Sequence, residues 1–454
     1  MSEEFACQTI GRWVAGFSLD DAPSAVRDTA VRCWVDAVGC MLGAAASDAV
    51  RPVQEIAVAQ HGDGPCRIVG TDITTTASGA ALANGTAAHA LDFDDTSYCG
   101  VVHASATLAA AVLAAADQTG ADGTTALTAF IAGSEAEYAF GKAASNSIFM
   151  DGWWGTSIFG GLGAAAGVAK VLGLDAHGTA TAMAHALCRS GGLRAMLGTD
   201  AKFTGNGQTA SLGVTCALLA EAGVSAPLDA LEGTNGMAQL IKRGTLELER
   251  FNDLGAVYSL LDPGVFLKPY PSCSASHAAA EATAELMRAH ELTAGDIQAV
   301  DVDVPKIVDD SLVFGDPRQV PEGQFSLPFI LACILLDGDF GVDRLSEAAL
   351  HDPDVRAEMP KINMHHDATL TVKAEAGEIG PECARIRITT ADGGSFELFN
   401  TVATGAPEKP MSDEAVDAKF LSLATHGGQG DRAAEWLGRL RGIEAMPSTR
   451  QLWI

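Results

Sequence analysis

The sequence predicts a mainly α protein in which both chain ends, 1–264 and 404–454, build one large all-α helical domain and 265–403 forms a smaller inserted α+β domain. Three observations predict this. The first 260 or so residues carry a helical apolar period almost throughout. Pro263–Pro271 then holds three prolines in nine residues and ends the helical run. Beyond it, alternating strand patterns cluster between helical blocks instead of alternating with helices, which argues against a doubly wound sheet.

The elements follow in order. Ala22–Ala45 places Val26, Ala30, Val31, Trp34, Val35, Val38 and Met41 on one face, with Arg27, Asp28, Arg32 and Asp36 as its polar stripe. Cys66–Val69 is a short extended piece. Helices are predicted over Thr76–Leu91, Ala104–Gln118, Thr124–Ala144, Thr156–Leu172, Asp175–Arg189 and Ser211–Ala222, with Gly120, Gly173 and Gly223 as breakers. After the prolines come a helix over Ser276–Ala289, a strand over Ile297–Val304 and a buried helix over Leu327–Leu336. Ala368–Ala374 and Ala384–Thr390 alternate as strands, and Asp392-Gly393-Gly394 turns the second into Ser395–Asn400. Asp413–Leu423 and Arg432–Leu440 return to helix.

Composition narrows the function. A hydrophobic fraction of 48% over 454 residues supplies a sizeable core, and 49 glycines with only 6% aromatics predict close helix packing through small side chains. The formal net charge of −28 repels nucleic acid and anionic membranes, so neither is expected as a partner. An anionic ligand then needs a local island of Lys, Arg and backbone N–H groups. The ten cysteines show no C-x-x-C spacing. Cys33, Cys40, Cys216 and Cys333 fall in apolar helical patterns, as reduced core residues do. Met1–Gln8 carries Glu3 and Glu4 and reads as no secretory signal. No apolar run reaches the length of a membrane span, and the cytoplasm is the expected compartment.

Three stretches carry candidate chemistry. Asp92, Asp94 and Asp95 crowd a helix end ahead of Thr96 and His103, and a carboxylate near a histidine orients it or tunes its pKa. A solvated acidic loop is the plainer reading. Clustered aspartates on an all-α scaffold also hold Mg²⁺ and a diphosphate, but such a pocket has aromatic walls, and aromatics are scarce here. Gly198–Lys202 places a lysine in a turn before a helix, where backbone donors and the helix dipole favour a carboxylate; it lacks the phosphate-loop spacing. Leu267–His277 (LKPYPSCSASH) holds Lys268 in a stiff segment at the domain junction, with Ser276 as a helix cap, His277 in the first turn and Cys273 as a possible thiol.

These residues resemble the MmgE/PrpD family. NGTAAHALDFDDT from Asn84 to Thr96, followed by His103, looks like its signature region. GTSIFGGLGAAA (Gly155–Ala166), GTDAK (Gly198–Lys202), LKPYPSCSASH and QFSLPFILACILLDG (Gln324–Gly338) are similar to its other conserved stretches, in order along nearly the whole chain. The resemblance implies a discontinuous helical domain with an α+β lid, a cleft between them, a homodimer, and catalysis with neither a metal nor another cofactor. It implies substrate-facing roles for Asp92, Asp95, Thr96, His103, Lys202 and Lys268. His103 exchanges a proton with a small polycarboxylate, Asp92 orients it, and the two lysines hold carboxylates and the enolate-like charge. Trp154, Cys273 and His277 complete the expected binding set.

The chain departs from the family pattern at four positions. Many relatives have a histidine where Trp154 or Gly205 stands, a histidine used by the family's decarboxylase falls on Cys273, and a tyrosine common in the family falls on Phe329. Proton-carrying groups are therefore replaced, and the acid that expels hydroxide has no obvious residue. The expected activity is a dehydratase-type lyase on a 2-hydroxy di- or tricarboxylate. An epimerase or isomerase, which needs no leaving-group acid, and a silent polycarboxylate-binding protein are the alternatives.

Overall fold

The computed structural model describes residues 4–242 and 245–453. It is mainly helical, with one two-stranded and one four-stranded sheet. The early helices form at Ser24–Ala44, Ala77–Ala90, Ala104–Thr119, Gly123–Ala144, Gly155–Val171 and Ala176–Leu187, each within two residues of its expected bounds. Thr76 and Asp175 sit just outside their helices as side-chain caps, accepting from Gly79 N and Gly178 N. Cys33, Cys40, Cys216 and Cys333 are buried free thiols. No helix among the described residues is long and apolar enough to cross a membrane.

Two large apolar cores organise the chain. One gathers side chains between Ala6 and Leu267 and between Met411 and Trp453; the other gathers side chains between Phe266 and Ala406. β1 (Cys66–Arg67) and β2 (Thr74–Thr75) pair antiparallel on the helical side. β3 (Ile297–Val304), β4 (Ile362–His366), β5 (Ala384–Thr390) and β6 (Ser395–Asn400) form the larger sheet in the order β4-β3-β5-β6. β5 and β6 are an antiparallel hairpin turned at Gly393, whose φ of 88° requires glycine. β3 pairs antiparallel with β5 and parallel with β4. Sequence reading passes over β4 because this edge strand, INMHH, is short and largely open, with only Ile362 and Met364 to mark an alternation.

Three expectations are corrected. Ala368–Ala374 is a helix, Ala368–Glu375, not a strand. Its Thr and Val residues mimic a two-residue period, but the Asp367 side chain accepts from Thr369 N and Leu370 N and starts a helix. Ser276 does not cap the helix His277–Ala289; its Oγ donates to Cys273 O at 2.8 Å. The helix expected from Ser211 begins at Ala201, so Lys202 sits in its first turn and not in a loop.

Gly205 and Gly207 therefore lie inside that helix, Ala201–Glu221, which crosses Ala77–Ala90 at very short range. A Cβ on Gly207 would lie 2.1 Å from Thr86 Oγ1 and 2.3 Å from Leu82 O. Beside it, Asn206 Nδ2 donates to Gly85 O at 2.8 Å. Gly207→Ala is expected to push the helices apart and cost about 1–3 kcal/mol, read as a lower urea midpoint at unchanged m. An unshifted midpoint refutes the claim that this crossing is tight.

Candidate active site

The segment between Asp92 and His103 links the helix Ala77–Ala90 to Ala104–Thr119. Asp92 leaves the first helix at φ 48°, a left-handed conformation that Asp tolerates better than most residues. Thr96 N donates to Phe266 O at 3.0 Å and Phe266 N to Thr96 O at 2.8 Å, which brings Lys268 alongside. Lys419, on the helix Asp413–His426 near the C-terminus, locks this junction. Its Nζ donates to Phe93 O at 2.6 Å and Lys268 O at 2.9 Å, and pairs with Asp36 at 2.6 Å. The tight helix crossing at Gly85 and Gly207 places His89 next to Lys202.

Charges alternate through this buried cluster. Lys202 Nζ donates to Asp92 Oδ1 at 2.7 Å; Lys268 Nζ lies 3.3 Å from the same oxygen and donates to Asp92 O at 2.8 Å. Burial alone would raise the Asp92 carboxyl, but Lys202, Lys268 and His103 outweigh it and bring it down to about 2. Burial opposes the charge on Lys268, yet Asp92 and Asp94 overcome it, so its pKa rises. For Lys202 burial prevails over Asp92 and the pKa falls.

Asp94 holds two imidazoles. Its Oδ2 lies 2.8 Å from His89 Nδ1 and 3.3 Å from His103 Nδ1. His103 Nδ1 is also 2.7 Å from Asp95 O, and a carbonyl only accepts. Nδ1 of His103 therefore carries the proton, and Nε2 keeps the lone pair, with no hydrogen bond among the described residues. His89 Nε2 accepts from Lys202 at 2.7 Å, which puts its proton on Nδ1 as well. Burial lowers both histidines against the pull of Asp94, His89 to about 4. The carboxylate that orients His103 is thus Asp94, correcting the expectation for Asp92, which instead neutralises the lysines.

His89, Asp94 and His103 bring three possible metal-ligand atoms within 4.8 Å of one another. Their chemistry here is that of a hydrogen-bonded clamp: both Nδ1 atoms donate, and Lys202 occupies the remaining nitrogen of His89. The three aspartates also diverge. Asp92 meets lysines, Asp94 meets histidines, and Asp95 accepts from Ser105 N and Oγ. Such divergence does not suit a shared Mg²⁺.

Of the expected site residues, Asp92, Thr96, His103, Trp154, Lys268 and Cys273 line one narrow cavity of about 30 Å³ at the junction of the two cores. Lys202, expected to face the substrate, is not in the lining: its Nζ is taken by Asp92 and His89 and lies over the rings of Trp154 and Phe325. Asp95 turns into the helical core, where burial raises its carboxyl to about 8 against the Ser105 hydrogen bond. His277 is corrected too: it packs edge-on to Phe266 and Tyr270, donates Nε2–H to Ser272 O at 3.2 Å, and lies outside the lining. Trp154 stacks on His103 at 5.6 Å, and its buried Nε1 has no hydrogen-bond partner among the described residues. Cys273 is held as a neutral thiol, raised by burial to about 12.

Sequence reasoning missed Tyr98, Ser274 and Glu382 in the lining, and His89 and Lys419 around it. Lys268 is the cationic side chain among the described lining residues. A larger groove of about 690 Å³ beside Cys188 and Asn235 is lined by neither lysine, arginine nor histidine among the described residues.

The sequence of the MmgE/PrpD N-terminal domain matches residues 8–249, and that of the C-terminal domain matches 270–437. The chain is 26% identical to the cis-aconitate decarboxylase of Homo sapiens over 367 residues, 78% of this chain and 74% of that one. The Mus musculus protein of the same name is 26% identical over 361 residues, 76% of this chain and 71% of that one. A cis-aconitate decarboxylase-like protein of Aspergillus oryzae is 23% identical over 447 residues, 91% and 89% of the two chains. At the level of the family these names indicate an enzyme of the lyase type, a dehydratase or decarboxylase. With both domains matched in order, the chain belongs to the MmgE/PrpD family.

Proposed function

We propose that the chain is a lyase that takes a proton from the carbon next to a carboxylate of a small 2-hydroxy di- or tricarboxylate and then eliminates water. The fixed tautomer of His103 carries this reading: Nδ1–H is tied to Asp95 O and Asp94, and Nε2 is left as a base in a cavity shared with Lys268. Lys268, kept cationic by Asp92 and Asp94, holds a substrate carboxylate and the charge that develops on it. The unpartnered Asp92 Oδ2 and Trp154 Nε1 are polar atoms for a ligand to satisfy.

A space of about 30 Å³ holds a water molecule or two, not a polyacid. Substrate entry therefore parts the seam where Phe149, Trp154 and Leu197 pack against Phe325, with 265–403 acting as the lid. Decarboxylation is a second reading, favoured by the names of the three relatives.

The test is a panel of hydroxy-, amino- and unsaturated polycarboxylates, cis-aconitate included, incubated with the protein in D₂O. Elimination yields ultraviolet absorbance from a conjugated alkene. Deuterium in recovered substrate without alkene supports the epimerase, and released CO₂ supports the decarboxylase. A panel without turnover or exchange overturns the enzyme reading in favour of a binding protein.

A further inference from the structure

We infer that Glu382 is the general acid of this site, protonating the leaving oxygen while His103 removes the proton from carbon. The inference rests on the elimination reading above. An elimination needs a proton donor, and the positions of Trp154, Gly205, Cys273 and Phe329 supply none. The titratable groups of the cavity divide by role. Asp92 is fully ionised between two lysines, His103 is the base, and Lys268 is a fixed cation. The thiol of Cys273 and the phenol of Tyr98, both raised by burial and the phenol already donating to Glu382, are too weak as acids.

Glu382 is the remaining carboxyl, and it makes no ion pair among the described residues. Its Oε2 accepts from Tyr98 Oη at 2.7 Å and its Oε1 from Ser274 Oγ at 2.9 Å. Tyr98 belongs to the segment that carries His103, Ser274 to the proline-stiffened junction, and Glu382 to the loop entering β5. Two hydroxyls from separate elements thus fix one carboxyl against the cavity that Asp92, His103 and Lys268 also line. Burial raises its pKa against the pull of both hydroxyls and Lys268, which favours the protonated form an acid needs. His103 comes from the helical side and Glu382 from the sheet side, so the base and acid meet when the seam is shut.

The step balances. His103 Nε2 takes the α-proton, and the C–H electron pair passes into the neighbouring carboxylate as an enolate held by Lys268, then returns to form the new C=C bond. The C–O bond breaks, its pair leaving with oxygen, which takes the proton of Glu382 to depart as water. Imidazolium and carboxylate remain, and solvent returns the proton from one to the other once the seam opens.

Glu382→Gln separates this role from others, because the two half-reactions have separate readouts. With a substrate that wild type converts, alkene formation by the variant is expected to fall about 10²–10⁴-fold. Deuterium exchange at the α-carbon, which needs His103 and Lys268 but no leaving-group acid, is expected to stay within about threefold, and its survival also reports a folded site. Elimination within about threefold of wild type overturns the assignment. Equal loss of exchange and elimination overturns it too, by showing a structural or binding role. Wild type that neither exchanges nor eliminates on the whole panel removes the lyase reading itself, a different failure.

Discussion

His103→Ala is expected to lower turnover about 10²–10⁴-fold, the range for loss of a positioned acid–base group. The residue has no substitute in the cavity. His89 is the nearest imidazole, with ring centroids 4.6 Å apart, but its Nε2 is held by Lys202 and its Nδ1 by Asp94. The same loss should appear in α-deuterium exchange, which Glu382→Gln spares. The pH dependence of kcat/KM checks the assignment. A base must be unprotonated, so activity falls as pH drops through the His103 pKa. Burial sets that pKa below the ordinary 6.5, so the acid limb lies below 6.5 and activity is level through neutrality on this side. His103→Ala removes the acid limb along with the rate. A variant with wild-type turnover, or an acid limb unchanged in the residual activity, refutes the base assignment. The ring also packs on Trp154, so rates are compared well below the variant's melting temperature.

What the sequence discloses of this site, and what it hides, follows from the range of the interactions. Helices such as Ala104–Thr119 are local, and their apolar period marks them. His103, Lys202 and Lys268 stand in motifs, and the resemblance names them without geometry. Which aspartate meets which partner is not local: the left-handed turn at Asp92 rotates its side chain to the lysines and hands His103 to Asp94. His89 was open to detection, because the one ionisable residue in the Ala-rich helix Ala77–Ala90 is a buried polar group that must find partners. Lys419 lies in an amphipathic helix, where a lysine reads as solvated. Glu382 lies in an irregular loop, and its hydrogen bond to Tyr98 spans 284 residues, so no spacing pattern exists to find it.

Asp92→Ala is expected to cost about 3–5 kcal/mol at neutral pH, because it strips the counter-ion from two buried lysines at once. The Lys202 and Lys268 side chains are 3% and 1% exposed, so water cannot replace the carboxylate without opening the junction. The measurement is the urea midpoint at constant m. Its pH dependence has a definite sign. The Asp92 pKa is about 2 in the folded protein against an ordinary 3.8, so its contribution is full above 3.8 and is lost as pH falls toward 2. The gap between wild type and variant should therefore narrow below pH 4. Lys202→Met added to Asp92→Ala should recover part of the loss, whereas Lys202→Met alone destabilises; the non-additivity measures the pair. A small dicarboxylate should also raise the melting temperature of Asp92→Ala more than that of wild type, since its carboxylate replaces the missing one and binds only the folded state. A cost below about 1 kcal/mol would mean that the lysines are neutral or hydrated in solution. The role of Lys268 as a permanent cation for substrate would then fall with it.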